Sequence, residues 1–223
     1  MFNKCSTADW GALFDLDGVL IDTEGSYTVF WHRIDEMFPT GVENFEYVIK
    51  GSNLQSILSN YFPDKIIQSQ ILEALEKHEN EMDYCFFDGV AAFLHTLKCN
   101  HVKMAVVTSS NALKMSRLES KLPELCHIVD TIVTGDDVAH SKPHPEGYHI
   151  AASRLGLSPG RCVVFEDSLA GVEAGRRAGG AVVGLATTCP RERLSDFADV
   201  VFDSFEEIEF EAIGKLINRK SRL

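Results

Sequence analysis

Phe14-Asp15-Leu16-Asp17-Gly18-Val19-Leu20-Ile21-Asp22-Thr23-Glu24 follows directly on Ala12 and Leu13, so that a short apolar run ends abruptly in two aspartates flanking one leucine. The run reads as a buried strand, and Gly18 gives the backbone freedom to turn where the carboxylates emerge. If extended geometry persists through Asp17, Asp15 and Asp17 share one side of the strand with Leu16 opposite, because strand side chains alternate with a period of two. Two carboxylates converging at a strand end repel each other unless a cation or a shared proton compensates. A solvated acidic turn is the ordinary reading of a lone Asp-x-Asp, and the matching pieces later in the chain argue against it here.

Downstream of this stretch the texture is helical. Tyr27, Phe30, Trp31, Ile34, Met37 and Phe38 fall at mixed helical spacing, and Pro39-Thr40-Gly41 stops the run. Further helical patches at Phe45 to Ile49, Leu54 to Phe62 and Ile66 to Met82 follow with no strand between them, which predicts a small helical bundle. From Phe87-Asp88-Gly89 the pattern changes. Helices are expected at Val90 to Cys99, Ala112 to Leu122, Pro145 to Leu155 and Leu169 to Ala178, alternating with strands at 103–108, 131–134, 161–165, 181–185 and 200–202. This rhythm argues for an α/β fold, a Rossmann-like doubly wound parallel sheet covered by helices on both faces. The helical block interrupts it after the first strand, so the expected organisation is an α/β core of residues 1–20 and 88–223 with a helical cap inserted at 21–87. The basic end Arg219-Lys220-Ser221-Arg222-Leu223 reads as frayed and solvated.

Composition excludes several classes. With 223 residues, 45% of them hydrophobic, the chain can bury a sizeable core. Its 33 acidic and 21 basic residues give a formal net charge of -12, so neither nucleic acid nor an anionic membrane is an expected partner. There is no apolar stretch of membrane-spanning length and no secretory signal at the start, and a cytoplasmic protein, monomeric or weakly dimeric, is the expectation. The cysteines Cys5, Cys85, Cys99, Cys126, Cys162 and Cys189 form no zinc-like grouping and read as reduced structural thiols.

In an open α/β sheet the ligand site lies beyond the carboxyl ends of the strands, so the residues after each predicted strand test the opening stretch. Strand one ends in Asp15-x-Asp17 and strand two in Thr108-Ser109-Ser110-Asn111. A loop after the third carries Ser141-Lys142-Pro143, and the fourth ends in Glu166-Asp167-Ser168. Carboxylates in that number suit Mg²⁺, with Asp15, Asp17, Glu166 and Asp167 as candidate metal residues. Thr108, the backbone N–H groups after it and Lys142 would cradle phosphate oxygens. The chemistry this set supports is phosphoryl transfer, with Asp15 as nucleophile and Asp17 as acid and base.

The ordered set Asp15-x-Asp17-Gly18, Thr108, Lys142-Pro143 and Glu166-Asp167 resembles the four signature motifs of the haloacid dehalogenase superfamily of phosphotransferases. The likeness covers nearly the whole chain, and within it the sequence is similar to the β-phosphoglucomutase-like phosphatases of the helical-cap branch. The resemblance implies a haloacid-dehalogenase-like core and an aspartyl-phosphate formed on Asp15. It further implies that Asp17 moves protons and gives its main-chain carbonyl to Mg²⁺, that Asp167 ligates the metal directly, and that Glu166 acts in or just outside its ligand shell. Thr108 is then a phosphate donor and Lys142 the charge-compensating lysine.

Within that family the mutases carry a histidine on the first cap helix, where this sequence has Tyr27, and an arginine just after the Lys-Gly turn, where Lys50-Gly51 is followed by Ser52, Asn53 and Leu54. Both departures favour hydrolysis of a small phosphorylated metabolite, a sugar or polyol monophosphate. A sugar-phosphate mutase is the alternative, and a non-catalytic sensor of a phosphorylated ligand a more distant one. Candidate substrate contacts are Ser109, Ser110, Asn111, Tyr27, Lys50 and Asn53, with Trp31 and Lys77 weaker. Tyr27 and Trp31, four apart on one helical face, also read as core packing, and Lys77 with Glu81 as a solvated pair. His140, His144 and His149, clustered around Lys142, read as surface residues beside an oxygen-rich site.

Overall fold

The computed structural model describes residues 9–49 and 54–220, with side chains described through residue 217. Six strands form one sheet among these residues: β1 (Gly11–Phe14), β2 (Lys103–Val107), β3 (Thr131–Val133), β4 (Cys162–Glu166), β5 (Ala181–Leu185) and β6 (Val200–Phe202). Their order is β3-β2-β1-β4-β5-β6, and every pairing is parallel. The central strands β1, β4 and β5 are buried along their whole length, as expected where helices cover both faces. The α/β, doubly wound expectation is borne out.

The helices are α1 (Glu24–Met37), α2 (Phe45–Val48), α3 (Leu54–Tyr61), α4 (Lys65–Glu81), α5 (Val90–Cys99), α6 (Ala112–Lys121), α7 (Pro123–Ile128), α8 (Glu146–Arg154), α9 (Leu169–Ala178), α10 (Arg191–Ser195) and α11 (Phe210–Lys220). None among the described residues is long and apolar enough to cross a membrane. The chain divides into two compact units, one of Met1–Asp22 with Tyr84–Leu223 and one of Thr23–Asp83.

Period-two alternation sorts the sheet of the larger unit into two faces. Leu13, Ala105, Val107, Val164 and Val182 pack with Tyr148, Ala151 and Ala152 of α8 and with Val172 and Ala174 of α9. Phe14 and Phe165, one residue out of phase, face the other way. Their rings stack at 4.6 Å, and Phe93 of α5 meets Phe165 edge-on at 5.6 Å. The same parity holds to the end of β4, so its last residue, Glu166, emerges on the face of Val164 and α8. Cys162 is buried in β4, and burial pushes its thiol up to about 11, which suits an inert core residue.

The smaller unit, α1 to α4, buries Phe30, Trp31, Ile34, Phe45, Ile71 and Leu75, with Phe45 meeting Trp31 edge-on at 6.2 Å and Phe62 at 5.7 Å. Gln68 of α4 is buried among them, and its amide nitrogen donates to the carbonyls of Leu58 and Phe62. The Leu58 carbonyl also accepts from the Phe62 N–H, so Gln68 tightens the end of α3 as well as pairing the Phe62 carbonyl beyond it.

Two sequence expectations need correction. The first strand stops at Phe14 and does not run on through Asp17. The Leu16 carbonyl instead accepts from the N–H groups of Val19, Leu20 and Ile21, a turn that satisfies those donors locally. The basic end is not frayed throughout, because helical backbone extends through Lys220, with Ile213 and Ile217, four apart, both buried. Ser221–Leu223 lie outside the described residues.

Phe165 connects this packing to the strand end beside it, since it precedes Glu166 and is fully buried between Phe14, Phe93 and Phe205. Phe165→Ala is expected to destabilise the protein by about 3–5 kcal/mol, read as a lowered midpoint in urea unfolding.

Candidate active site

At the carboxyl ends of β1, β2 and β4 the predicted residues meet. Asp15, one residue past β1, is tied to β4 by its N–H, which donates to the Phe165 carbonyl at 3.0 Å. Lys142 reaches in from the loop after β3. Its ammonium donates to Asp15 Oδ1 at 2.5 Å, to Glu166 Oε1 at 2.7 Å and to the Val107 carbonyl at 3.0 Å. The ring of Tyr148 on α8 lies 5.3 Å from the same nitrogen, and its hydroxyl donates to Glu166 Oε1 at 2.8 Å. Glu166 Oε2 accepts in turn from the N–H groups of Asp167 and Ser168 and from the Ser168 hydroxyl, at 3.1 to 3.3 Å.

Two glycines allow this density. At Gly18 the backbone has φ +83°, and a Cβ there would fall 2.1 Å from Asp167 Oδ2, so only glycine lets the first loop approach the fourth so closely. At Gly171, in the first turn of α9, a Cβ would fall 1.8 Å from Glu166 Oε1. The Gly171 N–H is meanwhile capped by Ser168 Oγ at 3.0 Å.

Asp17 is placed differently from its neighbour. Its carboxylate is gripped at Oδ1 by the Lys114 ammonium, 2.7 Å away, and at Oδ2 by the Ser110 hydroxyl, 3.0 Å away. The carboxylates that converge within 4.8 Å of one another are those of Asp15, Glu166 and Asp167. Thr108 is buried at the end of β2, its N–H donating to the Val133 carbonyl and its Oγ1 accepting from the Ser110 N–H. Thr108, Ser109, His140, Lys142, His144 and Tyr148 line one hollow beside the ammonium.

The electrostatics follow from crowding. Burial, partly offset by Lys142 and reinforced by the negative charge of Glu166, raises the Asp15 carboxyl from 3.8 to about 7. Burial and the neighbouring charges of Glu166 and Asp15 push Asp167 well above the usual carboxylate range. Lys142 is buried too, which by itself favours its neutral form, but Asp15 and Glu166 outweigh this and hold it protonated well above 10.5. Three hard oxygen donors, two of them destabilised as anions, form a set that a hard divalent cation fits.

The other candidates fare variously. The Asn111 side-chain oxygen caps α6 by accepting from the Lys114 N–H at 2.9 Å, and the Ser110 hydroxyl donates to Asp17. Ser109 is exposed. Tyr27 packs against the core of the smaller unit and donates its hydroxyl to Glu79 at 3.0 Å, and Trp31 is buried in that core, which favours the packing reading of both. Lys77 and Glu81 form an exposed pair at 4.0 Å. Lys50 and Asn53 lie outside the described residues.

Lys114 and Tyr148 escaped the sequence reading. Lys114 carried a faint signal, since a cation in the first turn of a helix is opposed by the helix dipole and needs a local partner. Tyr148 carried none, because its role depends on α8 packing across β1, β2 and β3.

Residues 12–185 match the haloacid dehalogenase-like hydrolase family. The chain belongs to that family. A validoxylamine A 7'-phosphate phosphatase of Streptomyces hygroscopicus subsp. limoneus is 32% identical over 216 residues, covering 91% of this chain and 97% of that protein. Hexitol phosphatase A of Escherichia coli is 30% identical, covering 89% and 92%. Among solved structures, a family IA, variant 3 hydrolase of Entamoeba histolytica superposes with a TM-score of 0.81 over 94% of this chain and 99% of that one, and at 23% identity it shows the shared fold.

The raised carboxyl of Asp15 has a consequence for stability. Its folded-state value lies above that of the unfolded chain, so the unfolded state releases its proton first and stability falls as pH rises from about 4 to about 7; Asp167 acts in the same direction. In chelator, the urea midpoint of the wild type should drop between about pH 5 and about pH 8, and the drop should be shallower in Asp15→Asn. An equal slope in both proteins would contradict this account of the cluster.

Proposed function

We propose that this hydrolase is a Mg²⁺-dependent phosphatase acting on a small phosphorylated metabolite, a sugar or polyol monophosphate, through an aspartyl-phosphate on Asp15. The observation that carries the reading is the Lys142 ammonium shared between Asp15 and Glu166 at the strand ends. It places a fixed positive charge beside the one carboxylate that stands directly at the end of β1. The similarity to a hexitol phosphatase and to a validoxylamine A 7'-phosphate phosphatase supports a phosphorylated small polyhydroxy substrate.

In the first step an Asp15 oxygen attacks phosphorus and the bond to the leaving oxygen breaks. Asp17 gives that oxygen its proton, so the product alcohol departs neutral. In the second step a water attacks the same phosphorus, Asp17 accepts the proton the water loses, and the Asp15–phosphorus bond breaks to release inorganic phosphate. Lys114 and Ser110 fix where the Asp17 carboxylate points. Lys142 and Thr108 would face the phosphoryl oxygens, where charge accumulates. Asp15 and Asp167, with the main-chain carbonyl of Asp17 by family likeness, would hold Mg²⁺, which supplies charge neutralisation at the phosphoryl group. Glu166, with both oxygens engaged by Lys142, Tyr148 and its own backbone, serves better to orient Lys142 than to ligate directly.

Phosphate release from a panel of hexitol and sugar monophosphates should require Mg²⁺ and fall more than about a thousandfold in Asp15→Asn. Activity surviving that substitution would remove the covalent route, and no turnover of any phosphate ester by the wild type would leave the sensor reading.

Asp17→Asn tests the proton step separately. It should slow release from a hexitol phosphate by about a hundredfold or more, and far less from p-nitrophenyl phosphate, whose leaving group departs without a proton. Equal losses on both substrates would deny Asp17 that role.

A further inference from the structure

The segment that delivers Lys142 carries a second donor cluster, made of His140, His144 and Glu146. The Glu146 carboxylate turns back over the loop from the first turn of α8. Its Oε1 accepts from the Ala139 N–H and its Oε2 from the His140 N–H, both at 3.0 Å. The same Oε2 lies 2.9 Å from His140 Nδ1 and 3.8 Å from His144 Nδ1. The two imidazole rings lie side by side, tilted by 37° with centroids 4.6 Å apart. His149, which the sequence grouped with them, is not part of the cluster.

These distances have a chemical meaning. Donors bonded to a tetrahedral Zn²⁺ at about 2.0–2.1 Å lie roughly 3.3 Å from one another, and the two carboxylate–imidazole separations bracket that value. Two imidazoles with one carboxylate suit Zn²⁺ or Cu²⁺ rather than Mg²⁺, and the partly exposed setting leaves a position for water. The two backbone N–H groups on Glu146 hold its carboxylate in place, as outer partners do at built metal sites. His140 Nδ1 and Glu146 Oε2 are hydrogen-bonded at 2.9 Å, so the carboxylate is already positioned against one of the two rings.

We propose that His140, His144 and Glu146 form a transition-metal site of the Zn²⁺ or Cu²⁺ type, separate from the acidic cluster of Asp15, Glu166 and Asp167. Its ligands flank Lys142 on both sides in sequence, and His140 and His144 line the same hollow as Lys142. A metal there ties the loop to the start of α8. The proposal stands independently of the phosphatase reading, because it concerns binding alone.

Cu²⁺ distinguishes the two clusters, since only this one offers imidazole nitrogen. One equivalent of Cu²⁺, added to the full chain in excess Mg²⁺, should give an electron paramagnetic resonance spectrum split by two nitrogens. The splitting should persist in Asp167→Asn, reduce to one nitrogen in His144→Ala, and vanish in His140→Ala/His144→Ala. Both histidines are exposed, and circular dichroism checks that the variants remain folded. An oxygen-only spectrum for the wild type, or two-nitrogen splitting that survives in the double variant, overturns the site.

Discussion

A buried lysine ammonium between two carboxylates is the constraint on which the rest of this molecule depends. Lys142, Asp15 and Glu166 are each largely withdrawn from water, where an isolated charge is strongly disfavoured, so none of the three is tolerable without the others. The carboxylates stand at the ends of β1 and β4, which are neighbours in the sheet, and the lysine comes from the loop after β3. Only a parallel sheet, with strand ends sharing one rim, brings three segments so distant in sequence to one point. The Val107 carbonyl at the end of β2 completes the ammonium's set of acceptors.

The surrounding structure serves this point in layers. Tyr148 shares Glu166 Oε1 with Lys142 while the Ser168 turn holds Oε2, which fixes the carboxylate and through it the ammonium. Gly18 and Gly171 are the places where no side chain fits because the carboxylates of Asp167 and Glu166 take the space. Beneath them Phe14 and Phe165 stack on the opposite face, so the residues preceding Asp15 and Glu166 are packed as rigidly as any in the core. A site that must hold like charges close together needs such support, since repulsion would otherwise open it.

The acidic cluster is unfinished as an electrostatic object. One lysine facing three carboxylates leaves Asp15 titrating near neutrality and Asp167 above its usual range. A cation bound as proposed would relieve that imbalance, because the same groups would become good anions beside it. Asp17, two residues from Asp15, escapes the crowding by pairing with Lys114, so two aspartates flanking one leucine meet different surroundings.

Much of this was legible in the chain alone. The βα rhythm set the fold class, and the ranges of α5, α9, β5 and β6 agree with those read from periodicity and punctuation. The short α7 and α10 were not visible, since six and five residues are too few to show a helical period, whereas α11 was legible in the helical spacing of Phe210, Ile213 and Ile217 and was missed. Of the site, Asp15, Thr108, Lys142, Glu166 and Asp167 were identifiable because each follows a strand at the rim where ligands bind. What the sequence by itself determined is therefore the parts: apolar runs that must be buried, and polar residues placed where those runs end. The tertiary structure decided the partnerships. Lys114 binding Asp17, Tyr148 binding Glu166 and Glu146 meeting two histidines depend on which face a helix turns toward the sheet and how far a loop travels. Local patterning does not encode those distances, because they are set by the packing of elements that are remote in the chain.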